Sequence, residues 1–140
     1  MYFRIASSLL LLIAFSCSKP NPEAQKQNLE GYWEIKAVEM PDGSKKQFGV
    51  NTIVDHIEVK ADSGVRTKVS PKLDGSFTTN GVSENFILKI EDDSLRMHYK
   101  TPYDEWTETI LESKDSTLIV KNRQDLVYTY RKFKKFDLVN

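Results

Sequence analysis

From residue 29 to about residue 134, polar and apolar side chains alternate with a period of two, and this pattern constrains the fold more than any other feature of the chain. Leu95, Met97 and Tyr99 alternate with Arg96, His98 and Lys100. Phe86, Leu88 and Ile90 alternate with Ile87 and Lys89, and Val65, Thr67 and Val69 with Arg66, Lys68 and Ser70. Successive side chains of a strand point to opposite faces, so such runs read as strands with one buried and one wetted face. Turn-forming pairs fall between them: Asp42-Gly43, Ser63-Gly64, Asp74-Gly75, Asn80-Gly81 and Asp92-Asp93. Asx-Gly pairs favour tight hairpins because both residues tolerate positive φ. The pattern predicts antiparallel strands near 31–40, 53–60, 64–72, 76–79, 84–91, 94–100, 104–112, 116–122 and 125–134, and an all-β fold.

Periodicity does not separate a closed barrel from a β-sandwich, since both alternate in the same way. The two ends of the region bear on the choice. Leu29-Glu30-Gly31-Tyr32-Trp33 opens the first strand and Val127-Tyr128-Thr129-Tyr130-Arg131-Lys132-Phe133 forms the last. These segments resemble the lipocalin family, in which a Gly-x-Trp on the first strand meets an Arg on the final one. The resemblance implies a small up-and-down antiparallel barrel of about eight strands. It also implies closure by Gly31, Trp33 and Arg131, with the Arg131 guanidinium over the indole contributing about 1–2 kcal/mol. The second lipocalin motif, Thr-Asp-Tyr-like, is missing, and the chain has no room for the family's late helix. Residues 29–134 therefore look closest to the short lipocalin-like domains of Bacteroidetes lipoproteins, with a sandwich as the alternative.

The N-terminus carries a separate message. One charge, Arg4, precedes an apolar run from Ile5 to Phe15 broken only by Ser7 and Ser8, as in a secretory signal. About eleven residues are too few to cross a bilayer as a helix, which takes about twenty. Leu12-Ile13-Ala14-Phe15-Ser16-Cys17 resembles the lipobox of bacterial lipoproteins, which implies cleavage after Ser16 and a diacylglycerol on the Cys17 thiol. Cys17 is the only cysteine in the chain, so it has no internal disulfide partner. Residues 1–16 are thus expected to be a signal peptide, 17–28 a lipidated flexible tether rich in polar residues and proline, and 29–140 the barrel domain. Surface-displayed lipoproteins of the type this N-terminus resembles carry an acidic run after the Cys. Lys19-Pro20-Asn21-Pro22 lacks one, so the expected address is the outer membrane, facing the periplasm.

Removing Arg4 leaves 19 basic against 20 acidic residues in the mature chain. That balance gives no electrostatic footprint for nucleic acid. Catalysis is not expected. The two histidines, His56 and His98, point outward by parity, and neither they nor the single Cys suggest a triad, a metal site or a cofactor. The predicted interior set is Trp33, Ile35, Ala37, Ile57, Val59, Val65, Val69, Phe77, Phe86, Leu88, Ile90, Leu95, Met97, Tyr99, Leu118, Val120, Val127 and Phe133.

Two carboxylates share the apolar parity, Asp55 with Ile57 and Val59, and Glu108 with Trp106 and Ile110. Each either lies at a strand end or on a wet face, or serves as a polar anchor inside an apolar pocket. Two functions follow. One is a binding module for a small apolar or amphipathic molecule, lined by Phe86, Leu88, Met97 and Tyr99 and anchored by Asp55. The other is an accessory subunit that docks on an outer-membrane protein complex through exposed Tyr32, Tyr103, Tyr128 and Tyr130.

Overall fold

The computed structural model describes residues 20–135, so the expected signal peptide and Cys17 lie outside the described residues. One short helix, α1 (Pro22–Gln27), precedes nine strands: β1 (Gly31–Glu39), β2 (Lys45–Gln47), β3 (Val54–Lys60), β4 (Ser63–Pro71), β5 (Phe77–Glu91), β6 (Ser94–Lys100), β7 (Glu105–Ser113), β8 (Thr117–Lys121) and β9 (Val127–Lys132). From β3 onward each strand pairs antiparallel with the next, and β1 pairs with both β3 and β9. First and last strands thus meet, which makes the sheet a closed barrel of β1 and β3–β9 rather than a sandwich. The short β2 takes the edge of β1 beyond β3, with Ala37 opposite Gln47 and Glu39 opposite Lys45.

Besides β2, which the alternation did not mark, two stretches differ from the reading of the sequence. The segment expected to be a tether contains α1, capped by the Asn21 side chain, which accepts from the Glu23 and Ala24 amides. Six residues are too few to show helical periodicity, so only the capping chemistry marks it. The expected strands at 76–79 and 84–91 are one strand, β5. Asn80-Gly81 is not a hairpin turn but a bulge: β5 steps from Ser83 to Thr79 while β4 steps only from Thr67 to Val69. Gly81 has φ +80°, which suits a bulge as well as it suits a turn.

The bulge coincides with a change in packing outside the barrel. Tyr32 on the outer face of β1 is sandwiched between His56 (centroids 4.1 Å) and Phe77 (4.2 Å), and Phe133 meets Phe77 edge-on at 6.1 Å. Phe77 and Phe133, expected inside, belong to this outer cluster. A bulge bends its strand, and here the β4–β5 hairpin curls back across β1 and β3.

The interior is a single apolar cluster. Leu29, Trp33, Ile57, Phe86, Leu88, Leu95, Met97, Tyr99, Ile110, Leu118, Val120 and Tyr130 are buried in contact with one another. Leu29, Ile110 and Tyr130 were not in the predicted set. Ile90, which was, is 48% exposed beside the β5–β6 turn. Val65 and Val69 also fall on the other face: the side chains of β4 that reach inward are Arg66 and Lys68, both bonded to Asp55. Likewise β9 buries Tyr130 and turns Val127 the other way.

Gly64 shows how tightly the wall is built. A methyl group there would collide with the Phe86 ring and stand 2.9 Å from the Glu58 carbonyl oxygen. Gly64→Ala is expected to lower stability by about 1–3 kcal/mol through overpacking, read as a lower midpoint of thermal unfolding.

Candidate functional site

The two ends of the barrel are built differently. At one end α1 and Leu29 form a plug. The Trp33 indole donates to the Leu29 carbonyl at 2.9 Å, Gln25 Nε2 donates to the Leu111 carbonyl at 3.2 Å, and Lys26 pairs with Asp62 in the β3–β4 turn. The cation over Trp33 is Lys132, whose Nζ lies 4.9 Å from the ring centroid. Arg131 is therefore not the stacking residue. It points outward, 63% exposed, and binds Glu34 at 3.0 Å. The family arrangement survives with the neighbouring cation because Trp33 stands in register with Lys132. Gly31 makes room for it: φ is +143°, and a Cβ would lie 2.7 Å from Lys132 Nζ. Arg131→Ala is expected to change stability by less than about 1 kcal/mol in urea titration, since the Arg131 end of the pair is exposed and Glu34 keeps Lys36 at 2.6 Å.

The opposite end is open and polar. Arg66 reaches inward and is buried there, donating from Nη2 to Asp55 Oδ2 at 2.9 Å and to the Tyr130 hydroxyl at 2.8 Å. Nη1 donates to the Tyr99 hydroxyl at 3.2 Å and lies 3.7 Å from Glu108 Oε2. Lys68 holds the other oxygen of Asp55 at 2.9 Å from a side chain that is 62% exposed. Around this group stand aromatic rings: Trp106 stacks on Tyr99 at 5.0 Å, and Tyr128 and Tyr130 lie 6.4 Å apart. A cavity of about 280 Å³ opens above them, bounded also by Val82, Glu84 and Asn122. A second recess of about 460 Å³ adjoins it under the segment 48–53 and shares Asp55, Lys68, Tyr128 and Tyr130. Larger grooves of about 610 and 880 Å³ run along the outside of the barrel.

The buried charges hold one another in opposite ways. Burial pushes the Asp55 carboxyl up, but Arg66 and Lys68 more than reverse this and hold it below 3.8. Burial also pushes up Glu108; Arg66 pulls it back only in part while Glu84 and Asp55 repel, so it ends above the ordinary glutamate value. The tyrosine hydroxyls Tyr99 and Tyr130 are raised by burial and stay protonated while accepting from Arg66.

Linkage gives these two carboxyls opposite signs. Glu108, raised on folding, is stabilising when protonated, and that contribution is lost as pH rises through its folded value. Asp55, depressed on folding, stabilises above 3.8 and loses that contribution as pH falls further. Urea midpoints measured from pH 7 downward should therefore rise slightly as Glu108 takes up its proton and then fall as Asp55 loses its charge. Glu108→Gln should remove the rise and leave the fall.

Of the residues predicted to bind ligand, Asp55 and Tyr99 lie at the mouth cluster, and Phe86 contacts Tyr99 at 5.4 Å below it. Leu88 and Met97 are buried in the packed lower barrel and line no recess among those described. The sequence reading missed Arg66, which it placed outside. The signal was present in the β3–β4 hairpin: with the turn at residues 61–62, Asp55 faces Lys68 and Ile57 faces Arg66. That register puts both cations on the face of the buried carboxylate. Tyr130, expected to be an exposed docking residue, is buried and bonded to Arg66, Tyr32 is covered on both faces, and Tyr103 remains 97% exposed. His98 sits on the outer face, as expected, held by Glu91 and by Thr107 at 3.1 Å.

Among the described residues no three His, Cys, Asp or Glu side chains converge on a metal position, and no helix is long and apolar enough to cross a membrane. No curated protein matches the chain. Among solved structures, a lipocalin-like protein from Bacteroides uniformis is 14% identical, with 76% of this chain aligned to 99% of that one at a TM-score of 0.48. Lobster apocrustacyanin A1 is 12% identical at a TM-score of 0.44; the match takes in 85% of this chain and 66% of that one. Apocrustacyanin C1 is 11% identical, with 83% and 65% covered and a TM-score of 0.45. The family described as lipocalin-like domain matches residues 29–120, from the plug through β8. With the closed barrel and its Gly31–Trp33 closure, this match establishes that the chain belongs to the lipocalin-like domain family.

Proposed function

We propose that this protein is a lipid-anchored binding module of the cell envelope that holds a small amphipathic molecule at the open mouth of its barrel. The observation that carries the reading is the buried Arg66–Asp55–Glu108 group beneath aromatic rings and an open cavity of about 280 Å³. Buried charge is costly and here lies at the one end of the barrel that the apolar core does not fill. Polar groups converging within an apolar rim are the usual make-up of a ligand site. The packed lower half, with Leu95, Met97 and Leu118 fully buried, limits the ligand to the mouth and to modest size.

The anchor is the lipid expected on Cys17, with the outer membrane facing the periplasm as the address. Replacing Cys17 by Ser should release the protein from the membrane fraction and abolish incorporation of a labelled fatty acid. Retention of the label in the variant would refute the lipidation site.

Native mass spectrometry of the protein purified from its own host tests the binding reading. A stoichiometric small-molecule adduct that disappears in Tyr128→Ala supports it. An empty domain that co-purifies with an outer-membrane protein would favour the docking role instead.

A further inference from the structure

The cavity at the mouth holds more negative than positive charge. Asp55, Glu84 and Glu108 line it against Arg66 and Lys68. Both cations are already committed. Arg66 is bonded to Asp55, Tyr99 and Tyr130, and Lys68 holds the remaining oxygen of Asp55. Glu84 faces Arg66 across the β4–β5 ladder, yet its carboxylate makes no ion pair or hydrogen bond among the described residues. Glu108 has only the Trp106 indole at 3.4 Å and Arg66 at 3.7 Å. One negative charge in the cavity is thus left without a counterpart.

The walls suit a positive group as well. Trp106 and Tyr128 line it with aromatic rings, whose face quadrupole is negative and attracts ammonium groups, while the Tyr130 ring already carries the Arg66 guanidinium at 5.3 Å. The carboxylates do not converge on a point, as they would for a metal ion, but are spread over β3, β5 and β7. An anionic headgroup would have to displace Asp55 or the tyrosine hydroxyls from Arg66 while standing beside Glu84 and Glu108. We infer that the mouth cavity recognises a small organic cation, an amine or quaternary ammonium carrying an apolar or aromatic group. The raised titration of Glu108 agrees with this, since its surroundings favour neutralisation of that carboxylate. This rests on the reading that the mouth is a ligand site.

The test uses the mature chain bearing Cys17→Ser and three probes of matched shape: 2-phenylethylamine, 2-phenylethanol and 3-phenylpropionate. Binding is followed at neutral pH and low salt by calorimetry and by quenching of Trp106, with Trp106→Phe as the control for the optical signal. The amine is expected to bind about tenfold more tightly than the alcohol, and the carboxylate most weakly. Glu84→Gln should weaken the amine about fivefold and leave the alcohol unchanged, with an unaltered melting temperature showing that the fold is intact. Equal affinity for amine and alcohol, or no effect of Glu84→Gln, overturns the charge assignment and leaves the pocket standing. If no probe binds, the adduct seen by native mass spectrometry decides. A cationic adduct upholds the inference, a neutral or anionic one overturns it alone, and the lack of any adduct overturns the pocket with it.

Discussion

Arg66→Ala is expected to destabilise the domain by about 3–5 kcal/mol, seen as a large fall in the urea midpoint at neutral pH. The cost is not the loss of an attractive pair but the charge left behind. Asp55, with its side chain 7% exposed, would keep only Lys68, and Glu108 would lose the one cation near it. The hydroxyls of Tyr99 and Tyr130 would lose the donor they share. Pairing the change with Asp55→Asn removes the stranded charge and should recover part of the loss. A double-mutant cycle on these two positions measures the coupling directly. Arg66→Lys should fall between, because an ammonium restores the charge but not the planar fork that reaches Asp55 and both tyrosines at once. If Arg66→Ala melts within about 1 kcal/mol of the parent, the buried network is not structural and Arg66 is held in place for another reason.

The second large effect is at the closed end. Trp33→Ala should cost about 3–5 kcal/mol, the range for removing a large buried aromatic and leaving a cavity. Trp33 is fully buried, and its indole N–H satisfies the Leu29 carbonyl. The change therefore unpins the plug as well as emptying the core. Amide hydrogen exchange in α1 and the first residues of β1 should quicken more than in β6, which separates local opening of the plug from uniform loss of stability. Lys132→Met provides the control. It removes the cation over the ring and an exposed hydrogen bond to the Glu30 carbonyl while leaving the indole in place, and the expected cost is about 1 kcal/mol or less.

The strands were legible because alternation is strong where one face is dry. β6 reads without ambiguity from Leu95 to Lys100, and its inward residues are those the pattern gave. β4 and β9 were misread for different reasons. In Val65-Arg66-Thr67-Lys68-Val69 the apolar residues face outward under the curled hairpin, and the cations face in to meet Asp55. In Tyr128-Thr129-Tyr130-Arg131-Lys132-Phe133 both faces carry rings and both carry a cation, so parity had nothing to choose between. Only the register across the β1–β9 seam, Trp33 opposite Lys132, decides which cation reaches the indole. Asn80-Gly81 shows a different limit: the φ that makes a hairpin also makes a bulge, and the distinction lies in what the neighbouring strand does. The site was half legible. Asp55 betrayed itself as a carboxylate on a dry face, whereas its partner looked like any solvated arginine until the hairpin register was counted.

The docked helix also sets a direction. With Cys17 lipidated as proposed, only residues 18–21 separate the acyl chains from α1, a reach of at most about 14 Å. α1 lies against the plugged end, tied to Leu111 and Asp62. The plug would then face the bilayer like the base of a cup, and the rim carrying Glu84 and Trp106 would open away from it. A molecule would arrive from the aqueous compartment and not from the lipid, so the route to the site would be set by six ordered residues that the composition alone marks as a loose leash.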